Sequence, residues 1–320
     1  VIDLAIVGAT ATGKTALAHE LWRQVAGLEL VSVDAMAVYR GLDIGTEKPV
    51  ASPAPWHLLD VAEPDDDFSV ARFQSAARSA LAGIHSRGHL AVLVGGTGLY
   101  HRAVIDDLEL PGRYPDTAAA LATEAADPSG LAALYSQLGA LDPLAASRIE
   151  PGNVRRIVRA LEVTVGSGRP FSSFGPGLAK YPAASVRLAG LALDRAEIDR
   201  RLEERLEGEL RAGFLEEVEA LFLRPRGLSR TARQAIGYRE LLEVAEGRAS
   251  LGDARAQILR RLKSFARRQE AWFRRDPRVT WFPAGDSDLA GLVLEYWRAP
   301  DAPVCDRAAG ADAAPSWETA

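Results

Sequence analysis

Lys14 and Thr15 close the run Gly8-Ala9-Thr10-Ala11-Thr12-Gly13-Lys14-Thr15, which matches G-x-x-x-x-G-K-[ST]. The apolar residues Leu4-Ala5-Ile6-Val7 precede it and a helical stretch from Ala16 to Val25 follows, the context that separates a phosphate-binding loop from a chance glycine turn. Glycines at both ends let the backbone curl so that N–H groups converge on an anion. Lys14 adds a full positive charge, Thr15 offers a hydroxyl to Mg2+, and the start of the helix adds its partial charge. These eight residues predict a site for a polyphosphate.

Four further constellations bear on what happens to that polyphosphate. Asp34 follows the second apolar run, Leu28 to Val33. It is placed either as a general base, accepting a proton from an attacking O–H or N–H beside a phosphate leaving group, or as the cap of the residues that follow. Gly95-Gly96-Thr97-Gly98-Leu99-Tyr100 ends a strand at the slot where many phosphate-loop hydrolases carry a metal-binding aspartate. The glycines there imply close backbone approach to a ligand that Thr97 could bond, or a plain strand-to-helix turn. Without the acidic slot an ATPase or GTPase reading weakens, leaving a small-molecule or nucleoside kinase, or a transferase that uses another diphosphate. Arg155, Arg156 and Arg159 neighbour one another on a helix, as a phosphate clamp or as a solvated face paired with Glu162. From Arg224 to Arg278 there are 15 of the 38 basic residues and 6 of the 43 acidic ones, a local charge of +9 in a chain of net charge −5. That is a nucleic-acid footprint or a solvated helix face with internal ion pairs. In it, Arg260, Lys263, Arg267 and Arg274 are expected to align among Phe265, Trp272 and Phe273, suiting RNA backbone contact. Gln234, whose amide donates and accepts together, is a plausible reader of a base edge.

The elements that must position these groups are readable from periodicity. Strands are predicted at Leu4–Val7, Leu28–Val33, His89–Val94 and Arg187–Leu193, with a last edge strand at Val279–Phe282. Helices are predicted at Lys14–Val25, Val70–Arg87, Arg195–Gly213, Phe214–Leu223, Tyr238–Glu246 and Leu251 to about Arg275. Strands alternating with helices imply an α/β fold: a P-loop NTPase-like core whose parallel sheet is flanked by helices on both faces. The core is assigned to residues 1–111 and 183–285. An Ala-rich stretch punctuated by Pro115, Pro128, Pro143, Pro151, Pro170, Pro176 and Pro182 reads as a small helical insertion domain, residues 112–182. Residues 299–320, rich in Ala, Pro, Asp and Gly, read as a disordered tail. In parallel sheets ligands bind beyond the carboxyl ends of the strands, so the phosphate loop, Asp34 and the Thr97 loop are expected to share one cleft.

Bulk properties narrow the class. With 320 residues, 48% hydrophobic and 25% charged, the chain has material for a sizeable core. No run of 18 apolar residues exists, so no membrane span is expected. The opening residues read as a core strand rather than a signal peptide. A single cysteine, Cys305, leaves no disulfide within one chain and suits a cytoplasmic setting.

Taken together, G-A-T-A-T-G-K-T, S-V-D-A-M-A-V-Y-R-G-L-D-I-G-T-E-K-P (Ser32 to Pro49), L-V-G-G-T-G-L-Y (Leu93 to Tyr100), R-R-I-V-R-A-L-E-V and Q-A-I-G-Y-R resemble, in order, the bacterial tRNA dimethylallyltransferases, also called tRNA isopentenyltransferases. The resemblance runs from about Ile2 to Phe282. It implies transfer of a dimethylallyl group from dimethylallyl diphosphate to N6 of the adenosine 3′-adjacent to the anticodon, position 37, in tRNAs reading codons that begin with U. It implies Mg2+ at Thr15 and a diphosphate held by Gly8, Thr10, Ala11, Thr12, Gly13, Lys14 and Thr15. By the same resemblance Asp34 is the catalytic base, Arg205 a second diphosphate clamp, and Thr97 lies near the target adenosine. Asp34, Ala35, Met36, Ala37, Thr97, Arg155, Arg156, Arg159, Gln234, Gly237, Tyr238 and Arg239 match tRNA-contacting positions, with the insertion packing on the anticodon stem-loop of a tRNA bound by a monomer. The sequence departs from the family at Ala9, often proline, at Ala35, usually serine, at Ala120, usually basic, and at Arg267-Arg268, usually Lys-Arg before the late glutamine.

Overall fold

A computed structural model describes residues 3–299 other than 50, 176 and 179. Cys305 and the tail from 300 onward lie outside the described residues. Six strands, β1 (Asp3–Gly8), β2 (Leu28–Ser32), β3 (Trp56–His57), β4 (Leu90–Val94), β5 (Val186–Ala192) and β6 (Val279–Pro283), form one sheet of order β3-β2-β4-β1-β5-β6. Every pairing is parallel, with Ala5 opposite Leu93 on one side and Leu188 on the other. The described residues form two compact units, 3–106 with 183–299, and 107–182.

In the first unit the sheet is covered on both faces, which explains why its strands read as continuous apolar runs rather than alternating ones. Along β1, Ala5 and Val7 face one cluster while Leu4 and Ile6 face the other. Helices α1 (Lys14–Gln24) and, in chain order, α2 (Val70–Ser86) and α3 (Gly98–Ile105) follow β1, β3 and β4. Leu17 and Leu21 of α1 pack with Leu4 and Ile6 on one face, and Phe73 and Ala77 of α2 lie on the other. No helix of the described residues is long and apolar enough to cross a membrane.

The second unit is helical: α4 (Pro115–Glu124), α5 (Pro128–Leu141), α6 (Pro143–Ala146) and α7 (Val154–Ser167) around Leu134, Leu138, Ile157 and Leu161. Pro115, Pro128 and Pro143 do not break helices; each sits in the first turn, where its missing N–H costs nothing. Asp127 and Asp142 cap the helices behind two of them, accepting from Gly130 and Ala145 N–H groups.

The chain then returns through β5 to α8 (Arg195–Arg211), α9 (Phe214–Phe222), α10 (Tyr238–Ala245), α11 (Leu251–Arg274), β6 and α12 (Leu289–Arg298). Helix α3, strand β3 and helix α12 have no counterpart among the predicted elements. Strand β3 is two residues long, too short for a period to show. Helix α12 carries the first unit past residue 285, burying Val293, Leu294 and Trp297 against the Leu4 and Ile6 face.

Candidate active site

Between β1 and α1 the loop folds as its spelling requires. Gly8, Ala11 and Gly13 take positive φ of 138°, 65° and 91°. Thr12 is buried and donates its hydroxyl to the Ala9 carbonyl at 2.8 Å, so its side chain braces the loop from behind instead of facing a ligand. Lys14 Nζ also reaches Ala9 O, at 2.5 Å. Burial pulls the Lys14 ammonium down to about 8, outweighing the upward pull of Glu47 and Asp34. Thr15 stands exposed in the first turn of α1 with no hydrogen bond from its hydroxyl to the described residues.

Arg205, on α8, meets this loop from the side. Its Nη1 donates to the Thr10 hydroxyl at 2.9 Å, and its Nε is held by Glu209 at 2.6 Å. Glu47 pairs with the same Nη1 at 2.5 Å. One turn earlier Arg201, which sequence reasoning missed, donates to Ala11 O at 3.4 Å and is steadied by Glu197 at 2.7 Å. Positions 201 and 205 share a helix face, and that i,i+4 spacing was the signal that could have found Arg201.

Past β2, Asp34 has the backbone contacts of a cap without the helix. Its Oδ1 accepts from Met36 N at 2.7 Å and Ala37 N at 3.1 Å, but residues 35–38 form turns. The other carboxylate oxygen accepts no hydrogen bond from the described residues, and Asp34 lines the cavity. Thr97, beyond β4, accepts from Ala35 N at 3.3 Å, which leaves its own hydroxyl proton to donate elsewhere. Ala37 is buried and backs the turn; Ala35 and Met36 are half-buried on the cavity.

The glycines of the 95–98 loop line the cavity and also answer to the protein itself. A Cβ on Gly96 would stand 2.1 Å from Gln269 Nε2, and one on Gly98 would stand 2.1 Å from the Trp272 ring. Both neighbours lie on α11, so the loop is smooth because that helix presses on it.

Around the rest of the cleft the basic third is sorted by side. One cavity of 1510 Å³ within the first unit is lined by the phosphate loop, Asp34, Thr97, Arg201 and Arg205, and also by Gln234, Arg239, Arg260, Arg268 and Trp272. Arg233, Arg239 and Arg260 form no ion pair with the described residues, and Gln234 is exposed. Of the expected stripe, Arg260 lines the cavity while Lys263, Arg267 and Arg274 do not; the cavity face of α11 also takes in Gln257, Arg261, Ser264, Arg268 and Trp272. Lys263 pairs instead with Glu203 at 2.7 Å and Arg274 with Glu270 at 3.2 Å. Tyr238 is a second correction. It is fully buried, its hydroxyl donates to Glu217 at 2.6 Å, and Glu217 in turn accepts from the Asp43 and Ile44 N–H groups. Its ring supports the segment after Asp34 and is closed to a nucleic acid; Gly237 beside it is buried too. In the second unit Arg155 and Arg156 are exposed on α7, whereas Arg159 is taken by Glu162 at 2.7 Å and by the Pro111 carbonyl at 2.9 Å.

A phosphate loop, an oriented carboxylate after β2 and a basic wall around one cavity define a P-loop-type α/β protein. Residues 37–276 match the family described as IPP transferase. The chain is 47% identical over 91% of its length to a tRNA dimethylallyltransferase of a Nocardioides species, covering 94% of that protein. It is 44% identical over 91% of its length to the tRNA dimethylallyltransferase of Bifidobacterium longum, covering 89% of it. The crystal structure of a tRNA isopentenylpyrophosphate transferase from Bacillus halodurans superposes with a TM-score of 0.65 at 36% identity, over 92% of this chain and 93% of that one. The chain belongs to the IPP transferase family, and the kinase alternative is set aside.

Proposed function

We propose that this chain transfers a dimethylallyl group from dimethylallyl diphosphate to N6 of adenosine 37 in tRNAs reading codons that begin with U. The observation that carries the reading is that the diphosphate-type loop and the exposed arginines of the basic third line one cavity, with Asp34 between them.

The exocyclic amine of adenine is a weak nucleophile because its lone pair is delocalised into the ring. Attack succeeds as the allylic C1–O bond breaks and positive charge spreads over the allyl unit. Lys14 and Arg205, already aimed at Ala9 and Thr10, stabilise the departing diphosphate. As N6 bonds to C1, its proton passes to the Asp34 oxygen that has no backbone partner. Oδ1 keeps the carboxylate fixed through Met36 and Ala37. Thr97, with its proton free, orients the base. The adenosine leaves its stack to reach this depth, and Gln234, Arg239, Arg155 and Arg156 hold the surrounding RNA.

The donor set fits Mg2+, which prefers few protein ligands and several phosphate and water oxygens. Thr15 would hold it, through the hydroxyl that bonds nothing else among the described residues. When bound, the ion supplies charge neutralisation of the diphosphate.

The test is incubation of the protein with labelled dimethylallyl diphosphate and an anticodon stem-loop carrying A37. Label enters the RNA without ATP. Phosphorylation of a small molecule that requires ATP, with no labelled RNA, would refute the reading.

A further inference from the structure

Gln269 is 6% exposed, on the buried edge of α11, and bridges two loops far from it in sequence. Its Oε1 accepts the Thr10 N–H at 2.8 Å, and its Nε2 donates to the Gly96 carbonyl at 3.0 Å. One amide therefore satisfies one backbone donor of the phosphate loop and one backbone acceptor of the Thr97 loop. At their strands the two loops are joined as well, Gly95 N donating to Ile6 O at 3.2 Å. The fit has no slack, since any Cβ at position 96 collides with the amide. The bridge also fixes the neighbours of both bonded atoms. Thr10 carries the hydroxyl that Arg205 grips, and Thr97 carries the one that steadies the turn of Asp34.

We propose that Gln269 is a positioning residue for the transfer, setting the distance between the diphosphate grip and the Asp34–Thr97 pair. The inference rests on the reading of the cavity as the transfer site. A misplacement of about 1 Å between leaving group and nucleophile lowers a rate about 100-fold, whereas a group that only fills space affects stability. By-products of truncation are separable here because of Gly96. In Gln269→Ala the amide leaves a hole beside Gly96, and in the double variant Gly96→Ala, Gln269→Ala a methyl group partly refills it without restoring either hydrogen bond.

The full chain and both variants are compared by thermal melting, by kcat and KM with labelled dimethylallyl diphosphate and stem-loop RNA, and by titration of the free protein with inorganic diphosphate. The expected result is that Gln269→Ala loses kcat at least about 30-fold with an unchanged KM for RNA. The double variant recovers melting temperature but not kcat, and binds diphosphate at least about fivefold more weakly than the original chain. Recovery of kcat together with melting temperature would overturn the proposal, as would an unchanged kcat in Gln269→Ala. Should the unaltered chain transfer no label, the proposed reaction fails on its own. The diphosphate titration then decides for Gln269, with weaker binding in the double variant supporting the bridge and equal binding overturning it.

Discussion

Arg205 donates to the Thr10 hydroxyl at 2.9 Å while Glu209 holds its Nε at 2.6 Å. The guanidinium is thus fixed in plane before any ligand arrives. Lysine keeps the charge but not the fork. Arg205→Lys is expected to lower kcat/KM for dimethylallyl diphosphate about 100-fold with little change in RNA affinity, measured by initial rates and filter binding. Equal rates would place the leaving-group charge elsewhere.

Asp34→Asn separates the two oxygens of the carboxylate. The amide oxygen still accepts from Met36 and Ala37, so the turn persists. Proton transfer is lost, and single-turnover transfer should fall about 100- to 10,000-fold while stem-loop affinity holds. A variant that keeps full speed would remove Asp34 from the chemistry.

Lys14 sets a pH limit. Buried and drawn down to about 8, it is protonated below that pH and ready for an anion. Above it, diphosphate binding must take up a proton, so affinity falls with rising pH by at most about tenfold per unit. Titration of inorganic diphosphate from pH 6.5 to 9.5 should be flat at first and weaken above about 8. A profile flat to 9.5 would contradict the assignment.

At the opposite end of the sheet, Glu29 sits among His57, Arg87 and His89 at 2.6 to 2.8 Å. Burial pushes its carboxyl up, but hydrogen bonds from His57, Arg87 and His89 outweigh this and hold it at about 2. A group depressed from an ordinary 4.5 to about 2 contributes stability above pH 4.5 that is lost as pH falls towards 2. Glu29→Gln should cost about 3 kcal/mol at pH 7, with the gap in melting temperature from the original chain narrowing below pH 4.5 and closing only near pH 2. A constant gap would show that the charge on Glu29 is immaterial.

What the sequence disclosed depended on whether a residue's role was local. The phosphate loop and the strands beside it were legible because glycine spacing and apolar runs are short-range signals. Arg201 and Gln269 were not, since their partners Ala11 and Thr10 lie 190 and 259 residues away. Tyr238 was misjudged for the same reason: nothing near it in sequence reveals the Glu217 carboxylate that turns it inward. Of the expected stripe on α11 only Arg260 reaches the cavity, because arginine occurs on nearly every face of that helix. Only the packing of Ala266, Gln269 and Phe273 decides which face is buried. Gly96 and Gly98 also make room for α11, a role that steric spelling alone does not reveal.

The register that pairs Asp3 with Val186 has a consequence for biosynthesis. The strand bearing the phosphate loop is made before the helical unit, yet its β5 neighbour follows only after the whole 107–182 unit has been made. Until then β1 has one open edge, the kind of surface that recruits other strands and chaperones. The helical unit, whose contacts are local, can condense meanwhile. A nascent chain stalled before residue 186 therefore carries the Gly8–Thr15 loop without its second wall, and that loop gains its full setting only after the helical unit has been made.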